Sequence, residues 1–176
     1  MSSGLIKRCC SVSSLRTGCF SLLVGAVLCF VPGAGAQTPG DSVDVPGHPS
    51  LVLRAKGVGA QVYSCLAGTW TLQGPDANLL NPTGEVIGRH FTGPTWKLND
   101  GSWVKGKAVV KQDSPEAESV PWLLLESVGG EGSLAAVRYI QRTETHGGNA
   151  PSGSCRESAE VRVPYSAIYS FYVVNP

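Results

Sequence analysis

The residues with the greatest chemical potential lie in one stretch, Gly88 to Gly106, which reads GRHFTGPTWKLNDGSWVKG. It holds an imidazole, a guanidinium, two indoles and several amines, groups that can bind anions, stack on flat rings or transfer protons. The candidate ligand-binding residues are Arg89, His90, Trp96, Trp103, Lys105 and Lys107. The stretch can form a binding surface, or it can be a hairpin whose aromatic side chains fill a core.

The hairpin register decides between these two interpretations. Asp100-Gly101 between strand-like runs predicts a two-residue turn, in which Trp96 pairs with Lys105. Because side chains alternate along a strand, Trp96 and Trp103 then share one face with the lysines. A bulge at a glycine, or a three-residue Asn-Asp-Gly loop, would shift the register and turn the tryptophans inward. We favour the core interpretation, and a lysine-flanked aromatic platform for sugars or planar ligands is the alternative.

Acid–base chemistry is another use that these residue types allow. His90 with Asp100 or Glu126, assisted by Arg89, could serve a hydrolase if the groups lie within about 3 Å of the reacting proton. The sequence contains no nucleophile elbow, phosphate-binding loop or dinucleotide fingerprint. The three histidines are dispersed and lack zinc-site spacing, so neither a metal nor a cofactor is expected. Catalysis stays an open question, and we favour a non-catalytic role.

Short strands must position these residues. Gly, Pro and Asp turns separate ten predicted strands: Leu51–Ala55, Ala60–Cys65, Thr69–Gln73, Glu85–Thr92, Thr95–Leu98, Ser102–Gln112, Trp122–Val128, Val137–Thr143, Glu160–Val163 and Ala167–Val174. This pattern predicts an all-β domain, either an antiparallel β-sandwich or a partly closed β-barrel. Residues 122–125 are apolar on both faces, which indicates a strand covered on each side. Only Asp76–Leu80 and Pro115–Ser119 could form a helical turn.

The first 36 residues are predicted to be a signal peptide. Basic residues precede the apolar run Cys19–Val31, and the following Ala34-Gly35-Ala36 has the small-residue pattern of a signal-peptidase site. Cleavage after Ala36 gives a secreted or periplasmic protein without a membrane span. A short membrane anchor is the alternative interpretation.

The rest of the chain divides into a lead-in and one domain. Residues 37–49, rich in Pro, Gly and Asp, are predicted to be a flexible segment, and residues 50–176 a single β domain. Three of the 14 Lys and Arg precede residue 37, which leaves 11 against 13 Asp and Glu, a net charge of −2. No basic stripe is dense enough to indicate a nucleic-acid partner.

Two of the six cysteines follow the predicted signal peptide, Cys65 and Cys155. Two cysteines in an exported chain most simply form one disulfide. Such a bond would close a loop of about 90 residues and contribute about 4 kcal/mol in the chain-entropy model. Two separately buried thiols are the alternative.

An ordered set of motifs resembles one known family. The motifs are GVGAQVYSC (57–65), GRHFTGPTW (88–96), DGS (100–102), PWLLLES (121–127), YIQRTETHGG (139–148) and VPYSAIYSFY (163–172). In this order, over about Leu51 to Tyr172, they resemble the exported microbial "domain of unknown function 3455". The resemblance implies that Cys65 and Cys155 are a recurrent disulfide pair. It implies no established activity, and a dehydrogenase label that some relatives carry has no dinucleotide fingerprint here to support it.

The sequence therefore predicts a secreted β domain that acts as a non-catalytic binding or cell-envelope-associated module. A glycan, a cell-wall component or a small molecule is the expected partner, and the oligomeric state is left open. The hydrolase described above is one alternative. A purely structural or stress-related surface protein is the other.

Overall fold

Eight antiparallel strands make up the part of the chain that the structure describes, and each strand pairs with the next one along the chain. The computed structural model describes residues 42–175, so the predicted signal peptide lies outside the described residues. The strands are β1 (His48–Leu66), β2 (Thr69–Leu80), β3 (Val86–Phe91), β4 (Thr95–Leu98), β5 (Trp103–Gln112), β6 (Trp122–Glu131), β7 (Tyr139–Gly147) and β8 (Glu160–Asn175). A 3-10 turn at Gly132–Leu134 joins β6 to β7. Within residues 42–175, no helix has the length and apolar character needed to cross a bilayer.

The last strand returns to the first and closes the sheet into a barrel. β8 pairs with β1 from His48 opposite Asn175 to Ser64 opposite Glu160. Closure removes the free strand edges that an open sheet would expose to other chains. The predicted antiparallel all-β class is confirmed, and the architecture is a fully closed barrel.

Two predicted strand breaks are absent, so eight strands replace the ten expected. The first two predicted strands are one, because Gly57 and Gly59 continue β1 and do not end it. A Cβ at Gly57 would lie 2.6 Å from the ring of Tyr169, so a glycine is needed where this side chain crosses the barrel. The last two predicted strands are likewise joined, through Pro164 of β8.

Neither predicted helical turn forms. Residues 76–80 continue β2, where pairing with β3 outweighs local helical preference. Residues 115–119 lie in the β5–β6 loop, and Ser119 forms an isolated bridge with Gly148. The helical expectation is therefore wrong at both places.

Strand β6 is covered on both faces, as its apolar sequence predicts. Leu125 faces the barrel interior and Leu124 faces outward, yet both are buried. Gln141, which lies opposite Leu124, donates a hydrogen bond to the carbonyl oxygen of Val43 at 2.9 Å. Val43 is itself buried. Val43 of segment 37–49 thus packs on the barrel, and the flexibility of that segment stays a prediction.

The disulfide predicted from the cysteine count is confirmed. Cys65 at the end of β1 is bonded to Cys155, with Cα atoms 5.7 Å apart and a sequence separation of 90. Cys155 lies in the long connection between β7 and β8. The bond therefore ties this connection to one end of the barrel.

Candidate binding site in the barrel interior

The β4–β5 hairpin sends its two tryptophans to opposite faces. Trp96 lies opposite Val104 and Trp103 lies opposite Lys97, which differs by one residue from the predicted register. Trp96 is 1% exposed inside the barrel, whereas Trp103 is half-buried on the outer face. The prediction that both indoles share a face with the lysines is wrong. The two therefore cannot form one aromatic platform.

A three-residue loop, Asn99 to Gly101, causes this shift. The Leu98 N–H donates to the carbonyl oxygen of Ser102 at 2.8 Å, which closes the loop. The Asp100 carboxylate accepts a hydrogen bond from the Ser102 N–H at 2.8 Å. Gly101 has a φ of 92°, a left-handed conformation that favours glycine. The Asn-Asp-Gly alternative is thus the one that forms, and it turns Trp96 into the core.

Three aromatic rings form a wall inside the barrel. His90 on β3 lies opposite Trp96 on β4, so both side chains point to the same face. Their rings stack with centroids 4.4 Å apart and planes within 4°. Tyr169 of β8 meets both rings edge-on, at centroid distances of 4.8 and 5.3 Å. Each such pair contributes about 0.5–1.5 kcal/mol beyond the area that it buries, so the wall is held rigidly.

His90 is a neutral member of this wall. Burial lowers the pKa of the imidazole to about 3, although the bond to Thr95 acts in the opposite direction and the charge of Arg142 lowers it further. Its Nδ1 lies 2.9 Å from the carbonyl oxygen of Thr95. Because a carbonyl only accepts, Nδ1 carries the proton and Nε2 is left as an acceptor.

A cavity of about 270 Å³ lies against this wall. Its floor is made of buried side chains: Gln61, His90, Trp96, Leu125 and Tyr169. An apolar cavity of about 150 Å³ is large enough to bind benzene. The barrel interior can therefore accommodate one substituted ring.

The cavity opens through a notch in the barrel wall. β2 pairs with β3 only from Asp76 onward, and β4 pairs with β5 only between Trp103 and Lys105. The β3–β4 hairpin is thus shorter than the strands on either side, which leaves a gap between the first half of β2 and the second half of β5. Eight residues line the rim of this gap: Leu72, Gln73, Gly74, Pro75, Thr92, Gly93, Pro94 and Ala108.

Arg142 of β7 is the cation among the lining residues. It lies opposite Leu123 on β6 and Tyr169 on β8, which places all three side chains in one row on the inner face. Its Nε and Nη2 both donate to the carbonyl oxygen of Pro121, at 3.1 and 2.7 Å. In the described part of the chain, no carboxylate forms an ion pair with this guanidinium. Arg142 is therefore held in position by a neutral group, and its charge is not neutralised by the protein.

Two buried polar atoms on the cavity floor have no hydrogen-bond partner within residues 42–175. They are Gln61 Oε1 and Trp96 Nε1. Buried polar atoms are nearly always paired, and one left unpaired costs about 1–3 kcal/mol. Both atoms are shielded from the cavity by neighbouring atoms, so Arg142 is the charged group that the lining presents.

Two of the six predicted ligand-binding residues meet at this cavity, His90 and Trp96. Arg89 instead forms an ion pair with Asp76 on the outer face, and Asp76 also binds Arg162. The other three predicted residues also lie on the outer face: Trp103, Lys105 and Lys107. The stretch Gly88 to Gly106 therefore places two of its candidate residues inside the barrel and the other four on the outer face.

The acid–base pairing considered for a hydrolase is not formed. The Asp100 carboxylate holds its own loop, and Glu126 is exposed on β6. Neither of them is joined to His90 by a hydrogen bond or ion pair in the part of the chain described. The described residues also contain no group of three or more His, Cys, Asp and Glu side chains that could hold a metal ion.

A family model described as "Protein of unknown function (DUF3455)" matches residues 46–173. The chain belongs to this family. The match spans the whole DUF3455 barrel except the last two residues of β8, and it includes every residue of the cavity floor. No curated protein and no solved structure matches the chain.

The sequence alone did not predict three residues that line the cavity of this DUF3455 protein: Gln61, Arg142 and Tyr169. Gln61 left a weak signal, since it stands among apolar residues in the run 60–63. Arg142 left none, because an arginine on a strand usually faces solvent. The alternation of Tyr169 and Phe171 with polar neighbours does predict an inward face, yet it does not distinguish a core position from a cavity wall.

Proposed function

We propose that this DUF3455 protein is an exported, non-catalytic binding module that holds one small organic molecule inside its barrel. The cavity between the aromatic wall and the notch carries the proposal. Small-molecule sites typically combine an apolar lining with a few inward polar groups, and this cavity has that composition. An eight-stranded barrel is also wide enough to hold one small ligand.

The interior supports binding better than the outer hairpin face does. Trp103 presents a single indole there, without the second ring that a sugar platform would need. The interior instead offers stacked rings whose positions are fixed before any ligand arrives. A preformed site loses less conformational entropy on binding than a flexible surface does.

Export is the second part of the proposal. The apolar run Cys19–Val31 and the site after Ala36 support a cleaved signal peptide. The Cys65–Cys155 bond supports an oxidising compartment, because disulfides persist in the periplasm and outside cells.

A variant that closes the opening of the cavity tests the binding function. Ala108 lines the rim, so Ala108→Trp places an indole in the notch, whereas Val109→Trp places the same indole on the exposed neighbouring residue. Wild type and Val109→Trp should bind members of a library of single-ring compounds, measured by ligand-observed NMR and thermal shift. Ala108→Trp should lose that binding while keeping its circular dichroism spectrum. The absence of any bound compound, or equal binding by both variants, contradicts the proposal.

A further inference from the structure

We infer that the ligand of this cavity is a single-ring carboxylate, whose anionic group binds Arg142 and whose ring packs against the aromatic wall. The inference rests on the proposed function and adds the chemical class of the ligand. Three observations carry it: the charge of the lining, the geometry of Arg142, and the size and aromatic wall of the cavity.

The charge of the lining favours an anion. Arg142 lines the cavity, and the other lining residues include no Asp or Glu. The floor imidazole stays neutral, because burial lowers the pKa of His90 to about 3. The cavity lining therefore has a net charge of about +1, and within residues 42–175 no carboxylate pairs with Arg142. A carboxylate would balance it, and a hydrogen bond between two charged groups is about twice as strong as one between neutral groups.

The geometry of Arg142 favours a planar acceptor. A guanidinium has five N–H donors, and Arg142 uses two nitrogen atoms on the single carbonyl oxygen of Pro121. Three N–H groups remain. One of them also approaches the Tyr169 hydroxyl, and the remaining donors can bind a carboxylate in the two-bond arrangement that arginine prefers. Because Pro121 fixes the side chain, little conformational entropy is lost when the anion binds.

The volume of the cavity and its aromatic wall indicate the size and the ring character of the ligand. About 270 Å³ is room for one ring with small substituents. Trp96, His90 and Tyr169 present aromatic surface, on which a flat ring packs with favourable edge or offset contacts. Small inorganic anions would leave this surface without contact.

Matched ligands test the inference on the wild-type protein. Benzoate and benzamide have similar shape and differ in charge, so calorimetric titration should give benzoate an affinity about tenfold or more higher. Acetate and inorganic phosphate should bind far more weakly than benzoate. Equal affinity for benzoate and benzamide overturns the anion, and equal affinity for acetate and benzoate overturns the ring.

Variants assign the preference to Arg142. In Arg142→Met the ratio of benzoate to benzamide affinity should fall to about one, and Arg142→Lys should retain part of it. Lys107→Met removes an exposed amine from the outer face of β5 and should leave the ratio unchanged within twofold. A ratio that persists in Arg142→Met, or that Lys107→Met abolishes, overturns the assignment. Loss of stability alone does not change the ratio, so the structural bond to Pro121 does not confound it.

These outcomes separate the inference from the proposed function. If neutral rings bind as well as acids and Ala108→Trp abolishes both, the binding function stands and the anionic class is wrong. If benzoate and benzamide both fail while other ring compounds bind, the class is again wrong. If no compound binds in a way that Ala108→Trp abolishes, both the function and the inference fail.

Discussion

Acid should destabilise this protein through His90, because folding removes the imidazole from water. Burial lowers the pKa of His90 to about 3 from its ordinary value of 6.5. Below about pH 6.5 the unfolded chain therefore binds a proton that the folded chain does not. The free energy of unfolding then falls by about 1.4 kcal/mol for each pH step of one. The loss continues until pH approaches the folded-state pKa, and above about pH 6.5 this contribution to stability is fully present.

The expected size of the effect is large on the scale of domain stability. Between pH 7.0 and pH 4.5 it amounts to about 2–3 kcal/mol, against about 5–15 kcal/mol for a typical domain. Other groups titrate over the same range, so the informative quantity is a difference between two proteins. His90→Phe keeps a ring beside Trp96 and removes the proton site, which makes it the matched variant.

Urea titrations at several pH values measure this difference. At pH 7.0, His90→Phe should be less stable by about 1 kcal/mol, because the carbonyl of Thr95 loses its donor. Toward pH 4.5 the wild type should lose about 2–3 kcal/mol more than the variant, so the order of stability should reverse. Parallel pH profiles would refute the reasoning, since they would mean that folding does not disfavour protonation of His90. The His90 ring resonances in NMR should also stay unchanged down to pH 4.5.

Two further predictions concern the disulfide and the interior tyrosines. Replacing Cys65 and Cys155 together by Ala should lower the free energy of unfolding by about 4 kcal/mol, since the bond closes a loop of 90 residues. A loss below about 1 kcal/mol in denaturant titrations would contradict the chain-entropy account. Tyr165→Phe and Tyr169→Phe should each lower the free energy of unfolding by about 1–3 kcal/mol. The two buried hydroxyl groups lie 3.2 Å apart, so each variant leaves the other hydroxyl without this partner. The double variant should cost clearly less than the two single losses together, and strict additivity in the same titrations would show that the hydroxyl groups do not interact.

Local patterns in the sequence predicted the class of fold and most of its strands. Alternating apolar residues separated by Gly and Pro require antiparallel strands, and they place Tyr169 and Phe171 inside. The two late cysteines predicted the disulfide. Closure of the barrel was not predictable in the same way, because it depends on pairing between β1 and β8, which are far apart in the chain.

The site illustrates the same limit at the level of single residues. The Asn-Asp-Gly sequence predicts a hairpin but allows more than one loop length, and a change of one residue reverses the faces of Trp96 and Trp103. The bond between the Asp100 side chain and Ser102 selects the three-residue loop. Sequence alone therefore identified the residues and left their orientation to be decided by backbone geometry.

By itself, the sequence determined the all-β class, the disulfide pair, the family and the segment where aromatic and basic residues concentrate. Only the tertiary structure decided which of those residues face one another. His90 and Trp96 meet Gln61, Arg142 and Tyr169 because strands from opposite ends of the chain surround one interior. Local sequence determines which side chains alternate between the two faces of a strand. The cavity instead depends on the relative lengths of neighbouring strands in the closed sheet.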